Sequence, residues 1–151
     1  MSTSAEAAAA LEGARVARAR LADRTRCPPH MHVVFGLLMG GLVASEAASD
    51  RGTLVIEGII VVLGLALFVW QRRRLGYFVN GYRRGRTRPV ALAILGVYLV
   101  LFSTAAYLKA FMGLHWPALV LGAVMFGLAT WGSAVWNARY AAEMTAPVEA
   151  A

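Results

Sequence analysis

The stretch PVALAILGVYLVLFSTAAYL, residues Pro89–Leu108, contains 20 residues and no charged side chain. At a helical rise of about 1.5 Å per residue it extends about 30 Å, which matches the hydrocarbon thickness of a bilayer. A surface helix of a soluble bundle needs a polar stripe that faces water, and this stretch has no such stripe. The sequence therefore predicts a membrane-spanning helix here.

Three further apolar segments accompany this one. They contain 17, 18 and 21 residues and cover residues 32–48, 53–70 and 116–136. The chain of 151 residues is 59% hydrophobic with a mean hydropathy of +0.59, which is too apolar for a soluble domain of this size. We therefore predict an all-α, integral membrane four-helix bundle made of two antiparallel transmembrane hairpins.

The two ends of the chain differ from this apolar middle. Residues 1–29 are rich in alanine and arginine and predict a cytoplasmic, amphipathic helix that ends at the linker Pro28-Pro29, because a residue that precedes a proline is disfavoured in a helix. Residues 30–140 would then form the membrane domain, and residues 141–151 a short disordered tail.

Basic residues are distributed very unequally among the connections. With the amino terminus inside the cell, the cytoplasmic pieces contain 13 basic residues, whereas the two outer connections contain only Arg51 and Lys109. Lys and Arg in short loops resist translocation. We therefore predict a multi-pass protein of the inner (plasma) membrane with both termini in the cytoplasm.

The cytoplasmic connection Gln71–Arg88 contains seven arginines and no acidic residue. Such segments attract anionic lipid headgroups at about 1 kcal/mol per basic residue near the surface. Anionic lipid is therefore the predicted partner of this loop, and a protein partner is the second interpretation. Nucleic acid is the least favoured partner, since tethering to the membrane restricts its access. The arginines are Arg72, Arg73, Arg74, Arg83, Arg84, Arg86 and Arg88.

Glu46 and Glu57 are the acidic residues within the apolar segments. An intramembrane carboxylate is costly and normally faces protein or water, so it indicates a functional site by default. One interpretation is a proton- or cation-binding pair at the outer side of the membrane, with Glu57 the deeper member. The other is an ion-paired interfacial group, with Arg51 or Lys109 as the partner.

Small residues recur every four positions along the first apolar segment, and a shorter set lies on the fourth. Such stripes let helix backbones approach closely in lipid. The stripe therefore predicts either self-association or, more simply, packing within the chain's own bundle, with the first and fourth segments as neighbours. The residues are Gly36, Gly40, Ala44, Ala48, Gly122 and Gly127.

Motifs for catalysis or metal binding are missing from the sequence. The single cysteine, Cys27, excludes an intramolecular disulfide and a Cys-based structural zinc site. His30 and His32 lie at the opposite end of the bundle from His115, so they do not predict a haem site. We find no phosphate-binding loop, no HExxH and no Ser/His/Asp set, and we predict a protein without cofactor, metal or enzymatic activity.

The stretch VNGYRRGRTRP, residues 79–89, together with the Ala/Arg-rich first helix, resembles small four-span membrane proteins of actinobacteria to which no activity is assigned. The resemblance implies a four-span fold and supplies no site residue. The small multidrug-resistance transporters offer a second four-span comparison, but they carry an essential Glu midway along the first helix, whereas Glu46 lies near its end.

Two functions follow from these features. The first is a non-enzymatic interaction or accessory module that acts through its basic cytoplasmic loop, as a homo-oligomer or within a larger membrane complex. The second is an oligomeric small transporter or channel subunit that uses Glu57 and Glu46. A transporter needs polar residues along an inner face, and the last two segments offer few of them, which favours the accessory module.

Overall fold

The computed structural model describes residues 2–24, 28–75 and 87–145, and over these ranges the regular secondary structure is helical, without strands. A short 3-10 turn, Ser45–Ala47, separates the second helix from the third. The helices are α1 (Ser2–Arg24), α2 (Pro29–Ala44), α3 (Asp50–Leu75), α4 (Arg88–Met112) and α5 (Pro117–Thr145).

Four of these helices are long and apolar enough to cross a membrane, which confirms the all-helical, four-span prediction at this level. The candidate spans contain 19, 24, 25 and 27 residues. They extend beyond the apolar segments of the sequence because a helix continues through charged residues whose side chains reach water from its ends. The spans are Pro29–Ala47, Asp50–Arg73, Arg88–Met112 and Pro117–Glu143.

Proline and glycine set several of the helix boundaries. Pro29 and Pro89 occupy the first turns of α2 and α4, where a missing backbone N–H costs nothing. Gly113 follows α4 with φ +64°, a left-handed conformation that favours glycine. Its N–H donates to the carbonyl of Lys109, and that of Leu114 donates to the carbonyl of Leu108, each at 3.1 Å.

The predicted first span is not one regular α-helix. The α-helix ends at Ala44, and the chain tightens into the 3-10 turn before Ala48 becomes extended. The Ser45 hydroxyl donates to the carbonyl of Leu42 at 2.6 Å. A serine that bonds to nearby backbone competes with regular helical bonding, which explains why the helix changes form at this residue.

The centre of the fold is the close pair α2 and α5, which run antiparallel. Going along α2, Gly36 lies against Thr130 and Phe126, and Gly40 lies against Gly122. Helix α4 packs on α5 and α2, α3 contacts α2, and α1 contacts α5. The buried apolar residues are Val43, Ala105, Ala118, Met125 and Ala129.

Several predicted features lie outside the described residues or differ from the structure. Residues 25–27 of the linker and residues 146–151 of the tail lie outside the described ranges. Residues 141–145, which the sequence assigned to the tail, belong to α5. Helix α1 begins at Ser2, and its side chains from Glu6 to Ala17 are exposed.

Candidate functional site

A cluster of charged and hydroxyl side chains, which we call the Lys109 cluster, joins one end of α4 to the 3-10 turn and the start of α3. The Lys109 ammonium lies 3.2 Å from Glu46 Oε2 and 3.1 Å from Asp50 Oδ1. It also donates to Thr53 Oγ1 at 2.9 Å. Lys109 therefore binds three oxygen atoms from two separate parts of the chain.

Burial differs sharply among the charges of this cluster. The side chains of Lys109 and Glu46 are each 11% exposed, whereas that of Asp50 is 94% exposed. An exposed pair contributes little to stability, while removal of one partner of a buried pair leaves an uncompensated charge. The Lys109–Glu46 pair is therefore the structural centre of the cluster.

Local sequence places each member of the cluster. Lys109 lies in the last turn of α4 and Asp50 in the first turn of α3, and both positions suit the helix dipole. The 3-10 turn turns Glu46 towards them. Thr53 donates its hydroxyl to the carbonyl of Ser45 at 2.9 Å, which orients its oxygen to accept from Lys109.

Glu57 lies on the inward stripe of α3, one turn beyond Thr53, and is half-buried. Its Oε1 is 3.5 Å from Ser45 Oγ, a marginal hydrogen bond because that hydroxyl already donates to a carbonyl at 2.6 Å. Tyr98 of α4 lies within electrostatic reach of Glu57 and Glu46. Among the described residues, Glu57 forms no ion pair.

The two predicted carboxylates thus have different environments. Glu46 is ion-paired with Lys109, whereas Glu57 accepts a marginal hydrogen bond from the Ser45 hydroxyl and forms no ion pair among the described residues. Arg51, which the sequence left open as a partner, is exposed and lies outside the cluster. Sequence reasoning missed Ser45, Thr53 and Tyr98; the first two flank the predicted turn between spans, and no motif marks the third.

The small residues of α2 and α5 lie where the two helices approach closely, with the exception of Gly127 on α5. A Cβ added to Gly40 would lie 2.7 Å from the Gly122 carbonyl oxygen, and one added to Gly122 would lie 2.7 Å from the Ala44 Cβ. Ala48 follows the 3-10 turn, and a Cβ on Gly52 would lie 3.1 Å from its Cβ.

Gly127 differs from the expectation. It lies on the exposed side of α5, and an added Cβ there would meet nothing within 4 Å. Gly127 follows Gly122 by five residues, a spacing that turns it away from the face that α2 contacts. Gly127 is therefore not part of the packing face.

The other end of the α2–α5 pair is also polar. His32 Nδ1 lies 2.8 Å from Ser133 Oγ. Arg72, Arg73 and Arg88 are exposed. Arg74 belongs to α3, and Arg83, Arg84 and Arg86 lie outside the described residues.

Within the described part of the chain, no three His, Cys, Asp or Glu side chains lie together in a group that could hold a metal ion. Comparison with protein-family models, curated proteins and solved structures found no match to this chain. The chemistry of the site therefore rests on its own residues.

Proposed function

We propose that this chain is a non-enzymatic accessory protein of the inner membrane that works by binding another membrane protein. One observation carries the proposal. In an 18-residue apolar stretch of each span, 6% of the residues are buried in α3 and in α4, compared with 33% in the first span and 28% in α5. Two apolar helices thus offer most of their surface to lipid or to a partner.

In this proposal both termini and the loop 71–88 are cytoplasmic, and α2–α3 and α4–α5 form antiparallel hairpins. The count of 13 basic residues against two supports the orientation. The contacts of Gly41 with Ile60 and of Leu38 with Gly64 support the first hairpin. The exposed side chains of Arg72, Arg73 and Arg88 are available to anionic headgroups.

The second candidate is an oligomeric small transporter or channel subunit in which Glu57 and Glu46 bind a proton or a cation. The absence of an ion-pair partner for Glu57 among the described residues favours it. The neutralisation of Lys109 by Glu46 opposes it, because that carboxylate is already engaged. The exposed Thr104 hydroxyl does not contribute to a polar path for an ion, because it donates to the carbonyl of Val100 in its own helix.

Flux measurements separate the two functions. Wild type and Glu57→Gln would be reconstituted in liposomes, and proton and monovalent cation flux would be followed with entrapped dyes. The accessory proposal expects no flux above that of protein-free liposomes from either protein. A flux from wild type that Glu57→Gln abolishes would establish the transporter and overturn the accessory function.

A further inference from the structure

Helices α3 and α4 have few contacts with each other. Both helices contact α2, and they meet each other through Lys109, Asp50 and Thr53 at one end. In the described part of the chain, the other contacts of these two helices are mainly with α2, α5 and the 3-10 turn. We call the space between α3 and α4 the opening, and the Lys109 cluster closes it at one end.

Glu57 lies at the closed end of this opening. It is on the α3 stripe that faces α2, one position from the exposed Gly58, where an added Cβ would meet nothing within 4 Å. Tyr98 of α4 lies within electrostatic reach of it. Glu57 lies about 10 Å along the helix from Asp50 and forms no ion pair among the described residues. A positive charge at the same depth would stabilise such a carboxylate in the membrane.

A second copy of this chain cannot supply that charge. The chain has one lysine, Lys109, which already binds two carboxylates. The arginines of the spans lie at their ends: Arg51 at the start of α3, Arg72 and Arg73 at its other end, and Arg88 and Arg139 at corresponding ends of α4 and α5. Within the four described spans, no basic residue lies at the depth of Glu57.

We propose that the opening between α3 and α4 binds a transmembrane helix of a different protein, which carries a Lys or Arg at the depth of Glu57. The inference rests on the accessory function and names the class of partner. A full helix fits better than a small organic cation because the apolar surface continues far beyond Glu57. The exposed apolar residues of the two helices include Val61, Leu65, Leu92, Leu95 and Leu99.

The test uses synthetic helices rather than an unidentified partner. A Leu/Ala transmembrane peptide with one Lys about 10 Å from the outer end, and a matched peptide with Leu there, would carry an acceptor dye. The full chain would carry a donor dye on Cys27, its single cysteine. Energy transfer in lipid nanodiscs should show about tenfold tighter binding of the Lys peptide, the value for one good polar contact between helices.

Variants of Glu57 identify the charge that is responsible. Glu57→Gln should bind both peptides equally, Glu57→Asp should keep the preference, and Glu57→Lys should prefer a peptide with Glu in place of Lys. Glu12→Gln, which removes an exposed carboxylate from α1, should behave as wild type. Circular dichroism melting of each variant shows whether it is folded, so that a loss of binding is not mistaken for a loss of fold. The charge-reversal pair is a second control, because it restores binding only if the variant is folded.

Three outcomes would overturn the inference. Wild type could bind both peptides equally, or Glu57→Gln could keep the preference for Lys. Glu57-dependent energy transfer between donor- and acceptor-labelled copies without peptide would assign the opening to a second copy. Each leaves the accessory function itself intact, because only the separate flux measurement decides that function.

Discussion

The ammonium of Lys109, near the end of α4, lies 3.2 Å from the carboxylate of Glu46 in the 3-10 turn, and both side chains are only 11% exposed. These residues are 63 positions apart in the chain. The pair therefore fixes α4 against the junction between α2 and α3. Lys109 also contacts the exposed Asp50 and the buried Thr53, so the cluster extends from the protein interior to the surface.

Lys109→Met should destabilise the protein by about 3 kcal/mol, because it leaves the Glu46 charge buried without a partner. The free energy of unfolding would be measured by denaturant titration in detergent micelles. Asp50→Asn is the matched control, and it should cost less than about 1 kcal/mol because that carboxylate is exposed.

The double variant Lys109→Met/Glu46→Met tests whether the unpaired Glu46 charge causes the loss of stability in Lys109→Met. Replacing both charges of a buried pair with apolar groups is often neutral. The double variant should therefore recover most of the stability that Lys109→Met loses. If the single and double variants are equally unstable, the loss comes from packing around Lys109 and not from the unpaired charge.

Gly40→Ala should cost about 1–3 kcal/mol because even one methyl group meets backbone. The added Cβ would lie 2.7 Å from the Gly122 carbonyl oxygen and 2.8 Å from the Phe126 Cβ. Gly127→Ala on the exposed side of α5 is the matched control and should be neutral or slightly stabilising. Equal thermal midpoints for the two variants would contradict the close approach of α2 and α5.

The four spans could be predicted from the sequence because a run of about 20 apolar residues is a local property that the bilayer itself requires. The small residues Gly40 and Gly122 also carried information about neighbours, since close backbone approach leaves room for little else. Gly127 was grouped with them because abundance of glycine hides which face a given glycine occupies.

The Lys109 cluster could not be derived in the same way. Judged by their depth in the spans alone, Glu46, Glu57 and Asp50 could each pair with Lys109. Which of them does so depends on how three helices meet. The 3-10 turn decides it, because it turns Glu46 towards α4 while Glu57 stays one turn further along α3. Such a turn arises from one serine side chain and has no hydropathy signal.

Both termini are predicted to be cytoplasmic, and reporter fusions test this directly. A phosphatase that is active only outside the inner membrane should be active when fused after Gly113 and inactive when fused after Ala151. The reason is that the outer connections contain two basic residues and the inner pieces thirteen. Activity after Ala151 without activity after Gly113 would reverse the orientation.

Gly36 and Thr130 should be energetically coupled. A Cβ added to Gly36 would collide first with Thr130 Oγ1 and then with the Phe126 carbonyl oxygen at 2.8 Å. The Thr130 hydroxyl oxygen is buried and has no hydrogen-bond partner among the described residues, so its removal sacrifices no polar contact. Gly36→Ala should therefore destabilise the protein by about 1–3 kcal/mol, and much of that loss should disappear when Thr130 is also replaced by alanine.

A double-mutant cycle measures this coupling. Unfolding free energies of wild type, Gly36→Ala, Thr130→Ala and the double variant should give an interaction energy of about 1 kcal/mol in favour of the double variant. Gly36→Ala combined with Thr104→Ala is the control, because Thr104 is exposed on α4 and bonds only to the carbonyl of Val100. That pair should be additive. An additive result for Thr130 as well would mean that the Phe126 carbonyl, and not the hydroxyl, limits how closely α2 approaches α5.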